Sequence, residues 1–285
     1  MVMQQLSFHD DVTIQYTPLE GSGSFDIEVR TNRYYLPTGR KNLAYQAAEL
    51  MTRDQHAAGT VKPGKILIDI KKRIPVAGGL AGGSGNAATV LHGLNIIWGL
   101  HLSLKELMDL GAVLGSDVPF CVMGQARANR DFPEYLRNDP LAASCARATG
   151  RGTELEPLPA LKTWAVIAKP RFSVSTKDVY EGIDGIDIVS RPDNDRLTGI
   201  LKARQDPSEE MYADFINVLE LYTINAHPEV GKLKEEMKAS GAGLTLMSGS
   251  GPTVFGLFRK AAAARNASDI LRRAGYTAFW TRTTL

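Results

Sequence analysis

The chain has 285 residues, 44 % of them hydrophobic, enough to bury a substantial core in one large domain or two joined ones. A net charge of +2 gives no mandate for nucleic acid, and two cysteines, Cys121 and Cys145, exclude a disulfide scaffold and lack metal-site spacing. No apolar run reaches the ~18 residues of a spanning helix, and Met1–Gln5 lacks a basic region before an apolar stretch, so a soluble, cytoplasmic protein without a membrane partner is expected.

From the N-terminus, period-two alternation predicts strands over 11–17, 24–30 and 65–74, the last with Ile66, Ile68 and Ile70 on one face. Helical spacing predicts helices over 41–53, 86–98 and 103–114. Asn86 reads as the N-cap of the second, and Ser103 with Glu106 forms a capping box for the third. Further on, helices are expected at 176–181, 194–204, 208–222 and 229–239, and strands at 163–169, 243–247, 253–259 and 276–283. Strands and helices mix without strict alternation, which favours an α+β fold. Two prolines in Leu155–Pro159 interrupt regular structure there and predict a domain boundary, dividing the chain into 1–157 and 158–285.

The segment Pro75-Val76-Ala77-Gly78-Gly79-Leu80-Ala81-Gly82-Gly83-Ser84-Gly85 joins a predicted strand to a predicted helix. The first amides of a helix lack internal partners and carry the positive end of its dipole, and glycines remove the Cβ atoms that would keep an anion away. A tight turn without a ligand needs fewer than five glycines in eleven positions, so a phosphate-binding loop is the favoured reading. It is not a P-loop, because no lysine lies between Arg73 and His101. Gly83–Ala88 fits a dinucleotide fingerprint, but the acidic residue that should end a second strand falls on Glu106 or Asp109, inside a predicted helix.

Other residues carry two readings. Asp117 follows a helix end at Gly115 and precedes Pro119, so it is either an aimed carboxylate or the cap of a following helix. Ser248-Gly249-Ser250-Gly251 is either a β-turn or a close approach to a ligand. Lys72, between Lys71 and Arg73, reads alone as solvated charge, and Tyr180 as a half-buried helix residue. The histidines at 9, 56, 92, 101 and 227 form no ligand pair, so no resident metal is assigned.

The glycine segment with Asn86-Ala87-Ala88 resembles the central phosphate-binding motif of the GHMP family of small-molecule kinases. Asn42–Ala48, Gly115–Phe120, Ala168-Lys169-Pro170 with Ser173–Thr176, and Ser248–Phe255 resemble further segments of that family, in the same order. The resemblance implies a two-domain fold, an N-terminal domain like ribosomal protein S5 and a ferredoxin-like C-terminal one. It implies ATP, with Mg²⁺ arriving on the nucleotide, held by Pro75 to Gly85 and Lys72. It implies Asp117 as the base, and Tyr180, Ser250 and Gly251 toward the acceptor. The long doubled-glycine form is most similar to the branch that phosphorylates a cytidine diphosphate-linked methylerythritol in isoprenoid synthesis. Another small alcohol as acceptor, or nucleotide binding without turnover, is the alternative.

Two departures accompany the resemblance. The family's opening strand, Pro-Ala-Lys-Ile-Asn-Leu, and its Gly-Tyr-His motif have no counterpart, and Met1–Leu6 aligns best with the strand after them, so the chain is expected to start downstream of a lysine that would partner the aspartate. An insertion over 125–147, bracketed by Ala126-Arg127-Ala128 and Ala146-Arg147-Ala148, is expected to be a surface excursion with little effect on the fold.

Overall fold

A computed structural model describes residues 1–20, 23–57, 59–203 and 209–285. Its first half opens with β1 (Val2–Gln4), β2 (Asp11–Pro18), β3 (Asp26–Thr31), α1 (Leu43–Ala57) and β4 (Gly64–Lys71). β4 is central, antiparallel to β2 and parallel to β3, so Asp11 stands opposite Lys71. The predicted alternation holds: Ile66, Ile68 and Ile70 are buried. Against them pack Ala44, Ala47, Ala48 and Met51 of α1 and Ala87, Ala88, Val90, Leu91 and Leu94 of α2 (Gly82–Ile97). Each large side chain buried this way contributes about 1.5–3 kcal/mol.

α2 starts at Gly82 and Asn86 is buried inside it, which corrects the expected N-cap. Gly85 N–H already donates to Ala81 carbonyl at 2.8 Å. Glycine's poor helix propensity is overridden by packing, since Gln125 Nε2 donates to the Gly85 carbonyl at 2.8 Å. α3 (Leu104–Leu114) carries the predicted capping box, with Ser103 N–H donating to Glu106 Oε2 at 2.8 Å.

α4 (Val118–Ala128) and the short α5 (Glu134–Arg137) lead to β5 (Cys145–Thr149) and β6 (Glu154–Leu158), and β5 lies between β1 and β6. The 125–147 segment is therefore not a surface excursion. Leu136 is 0 % exposed in the main core, Phe132 lies 4.7 Å from the His92 ring, and Asn95 Nδ2 donates to the Tyr135 hydroxyl at 3.2 Å. Pro157 does not interrupt regular structure either: it sits in β6 opposite Ala146, on an edge strand where its missing N–H goes unneeded.

The second half comprises β7 (Trp164–Lys169), α6 (Thr176–Ile183), α7 (Asn194–Lys202), α8 (Glu209–Tyr212), α9 (Glu220–Ala226), α10 (Pro228–Ala239), β8 (Leu244–Met247), β9 (Val254–Phe258), α11 (Ala261–Arg273) and β10 (Thr277–Arg282). The sheet order β10-β7-β9-β8, antiparallel throughout, is that of a ferredoxin-like fold. Instead of one helix over 208–222 there are two, and residues 204–208 lie outside the described residues. Between them Asn217 ties the break to the β8–β9 turn: its Nδ2 donates to the Met247 and Gly249 carbonyls, and its Oδ1 accepts from Leu219 N–H. Among the described residues no helix is long and apolar enough to cross a membrane.

Candidate active site

The glycine loop hangs between β4 and α2, and its backbone is unusual where a ligand would need it. Ala77, Gly79 and Ala81 all have positive φ, at 51°, 70° and 50°. Positive φ at alternate residues turns successive N–H groups toward one concavity, which favours an anion. Two of these residues are alanines, whose strain of about 1–3 kcal/mol each is maintained only by the surrounding packing. No side chain caps α2, and Ala81 occupies the cap position. The amides of Gly82, Gly83 and Ser84 precede the first intrahelical bond, so they face outward without helix partners.

Below the loop, Lys72 is not a solvated charge, as its neighbours suggested. It is 6 % exposed and ion-paired with Asp10, whose side chain is itself buried. Asp10 Oδ1 also accepts from the Arg73 and Ile74 amides at 2.7 and 2.8 Å, so one carboxylate fixes the strand-to-loop exit. Lys72 N–H donates to Asn32 Oδ1 at 2.8 Å. A Cβ on Gly82 would come within 3.1 Å of Lys72 Nζ, so the cation sits beside the start of α2. Asp10 and Asn32 were absent from the sequence expectations; the Asp10–Asp11 pair before a predicted strand was the available signal, and only the β2–β4 register gives it meaning.

The second glycine run forms the expected turn. Gly251 N–H donates to Ser248 carbonyl and Ser248 N–H to Thr253 carbonyl, closing a hairpin between β8 and β9. The hairpin also touches the loop, since Ser248 Oγ donates to the Gly79 carbonyl at 2.7 Å. A Cβ on Gly79 would fall 2.3 Å from Ser248 oxygen, so this approach requires glycine. Ser250 Oγ pairs with Thr176 Oγ1 at 2.9 Å, and Gly251 has φ 80°. Tyr180 stands one helical turn beyond Thr176 on the same face of α6, with 52 % of it exposed. α6 buries Val179 and Ile183 instead.

Asp117 opens α4 but does not cap it with its side chain. Burial holds its carboxyl above the usual range, and no ion pair to it is found among the described residues. One turn on, the Cys121 thiol is pushed up to about 12 by burial and then by the Asp117 charge, so it is inert as a nucleophile. α4 is joined to α2 by Gln125 on Gly85 and Thr89, and by His92 Nε2 on the Val122 carbonyl at 2.9 Å. No hydrogen bond or ion pair joins Asp117 itself to the glycine loop among the described residues. Of the predicted residues, the structure thus brings Lys72, the loop, Ser250, Gly251 and the Tyr180 helix together, and links Asp117 to them through α4.

Comparison with known proteins agrees with this architecture. The family model described as GHMP kinases N terminal domain matches residues 42–125, and that described as GHMP kinases C terminal matches 201–277. The 4-diphosphocytidyl-2-C-methyl-D-erythritol kinase of Alkaliphilus metalliredigens (strain QYMF) is 40 % identical over 272 residues, covering 95 % of this chain and 83 % of that protein. The protein of the same name from Geobacillus kaustophilus (strain HTA426) is 41 % identical over 262 residues, covering 90 % and 78 %. A crystal structure of 4-(cytidine 5'-diphospho)-2C-methyl-D-erythritol kinase superposes with a TM-score of 0.72 at 27 % identity, covering 100 % of this chain and 95 % of that one. Homoserine kinase from Cytophaga hutchinsonii ATCC 33406, at 16 % identity and a TM-score of 0.67 over 97 % of this chain and 86 % of that one, shares the fold. With both family models met in order and two-fifths identity sustained along most of the sequence, the chain belongs to the GHMP kinases.

Proposed function

We propose that the chain transfers the terminal phosphate of ATP to the 2-hydroxyl of 4-diphosphocytidyl-2-C-methyl-D-erythritol, as a cytoplasmic enzyme of isoprenoid synthesis whose partners are small molecules. The observation that carries the substrate is the 40 % identity, over 95 % of the chain, to a kinase named for it. The loop geometry supports the nucleotide half: residues 1–157 offer the amides of Gly82, Gly83 and Ser84, with Lys72 beside them. Residues 158–285 offer Ser250, Gly251 and the exposed Tyr180 ring, which suits stacking on the acceptor's base. Mg²⁺ suits phosphate oxygens rather than a protein cage, and its charge would offset that developing on the transferred group.

Asp117 takes the acceptor's proton in this reading, an effect typically worth ~10²–10⁴-fold. Its raised pKa makes it a better base than an ordinary aspartate once ionised. The test is phosphate transfer from ATP with Mg²⁺ to the cytidine diphosphate-linked alcohol, run beside homoserine, mevalonate and a hexose. Transfer to the first alone is expected, and transfer to another acceptor alone would reassign the enzyme within its family. A second reading, nucleotide binding without turnover, is motivated by the lack of a cation paired with Asp117 among the described residues. ATP binding with no transfer to any alcohol would favour it.

A further inference from the structure

Under the glycine loop lies a second lysine whose charge no carboxylate neutralises among the described residues. Lys169 ends β7 and is 8 % exposed, with its Nζ donating to the Phe172 carbonyl at 2.5 Å and the Pro170 carbonyl at 3.4 Å. Among the described residues no carboxylate contributes to its electrostatics, and burial alone lowers its pKa. Lys72, at similar burial, has Asp10. The Lys169 stem packs beneath Gly78, where a Cβ would come 3.5 Å from Cδ and 2.7 Å from Thr253 Oγ1. Thr253 is buried and its hydroxyl has no hydrogen-bond partner among the described residues. An uncompensated buried ammonium and an unsatisfied buried hydroxyl are both unfavourable, and here they converge on one loop residue. An anion seated on the loop would relieve both.

We propose that Lys169 is a phosphate-binding residue of this site, its ammonium leaving the Phe172 carbonyl to compensate a diphosphate held over Gly78 and Gly79, with the Thr253 hydroxyl as a second donor. The proposal rests on the loop being the phosphate site. It assigns the second half of the molecule the cation that the first half commits to Asp10. The diphosphate can belong to the nucleotide or to the cytidine-linked acceptor, and the two differ in which KM moves.

The experiment compares the wild-type chain with Lys169→Met, Lys169→Arg and Thr253→Val, by steady-state kinetics and by calorimetric titration with ADP, CDP and pyrophosphate. Lys169→Met should lower kcat/KM by roughly 10²-fold, and Lys169→Arg should restore most of it. Weaker ADP binding with a raised KM for ATP assigns the nucleotide's phosphates; weaker CDP binding with a raised KM for the acceptor assigns the other. Thr253→Val, which removes only the unsatisfied hydroxyl, should weaken pyrophosphate binding while the unliganded thermal midpoint holds or rises. The proposal is overturned if Lys169→Met titrates and turns over within twofold of wild type. It is equally overturned if Lys169→Met fails to fold and Thr253→Val binds pyrophosphate like wild type. The titrations need no acceptor, so they decide Lys169 even where wild type phosphorylates none of the alcohols and the proposed substrate fails.

Discussion

At the scale of single residues, the site is organised by two carboxylates with opposite tasks. Asp10 is neutralised and bonded, holding Lys72 and the amides of Arg73 and Ile74. Asp10→Ala would leave a buried ammonium unpaired and two amides without acceptors, a loss of about 3–5 kcal/mol. Urea denaturation should find that loss, and Asp10→Ala with Lys72→Met should recover part of it, because the stranded charge is then gone. Asp117 has no ion-pair partner among the described residues, and burial raises its pKa. A base works only when deprotonated, so kcat/KM should rise with pH through a limb lying above the ordinary aspartate range. Asp117→Asn should lower kcat by ~10²–10⁴-fold and abolish that limb. The same raised pKa means that the folded chain prefers the protonated form. The acid's stabilising contribution is present at low pH and lost as pH rises through its folded pKa, so Asp117→Asn should match or exceed wild type in thermal stability at pH 7. An Asn variant that is both inactive and clearly less stable would make Asp117 a structural residue.

Elements show where local sequence is enough and where it is not. The glycine loop was legible because its chemistry is local: closely spaced glycines before an apolar helical stripe need no distant partner to be read. Asp10 and Lys72 were not, since they lie 62 residues apart and meet only through the antiparallel register of β2 with β4. Ala-Arg-Ala is helical at 126–128 in α4 and extended at 146–148 in β5, so the tripeptide carries no preference that survives its surroundings. That ambiguity hid the role of the segment between the two copies. Its prolines argue for irregular backbone, yet Leu136 enters the main core and Phe132 covers His92, whose burial lowers its pKa to about 4. Leu136→Ala should therefore cost about 2–5 kcal/mol, as core truncations do. A urea midpoint shift corresponding to less than about 0.5 kcal/mol, the range of ordinary surface substitutions, would return the segment to the surface.

For the whole molecule, the two halves share a buried cluster that joins Cys145 to Leu158, Leu197 and Leu201 and the ion pairs Arg147–Asp195 and Glu156–Lys202, and two further contacts between them differ in kind. At the chain ends the contact is a continuous one: Leu6 bridges Thr283, Ser7 N–H donates to the Arg282 carbonyl, and Phe8 stacks on Phe279 at 4.6 Å. At the loop it is narrow, Ser248 Oγ on the Gly79 carbonyl, made possible because neither Gly78 nor Gly79 carries a Cβ. That joint, with the shared cluster and ion pairs, accounts for cohesion, which leaves the narrow contact free to shape the glycine loop. Ser248→Ala removes one hydrogen bond near the surface and should reduce stability by only about 0.5–1.5 kcal/mol. Gly79→Ala is harsher, because its methyl would collide with the Ser248 carbonyl oxygen and its φ of 70° strains any side chain. An added cost of about 1–3 kcal/mol follows from that backbone. If the hairpin holds the loop in its anion-binding shape, both variants should raise KM for ATP, Gly79→Ala more than Ser248→Ala. Their urea midpoints would fall in the same order, yet the joint at the chain ends should keep each transition single. Two separated transitions in Ser248→Ala would mean that this one hydroxyl holds the halves together, and unchanged KM in both variants would remove the hairpin from the nucleotide site.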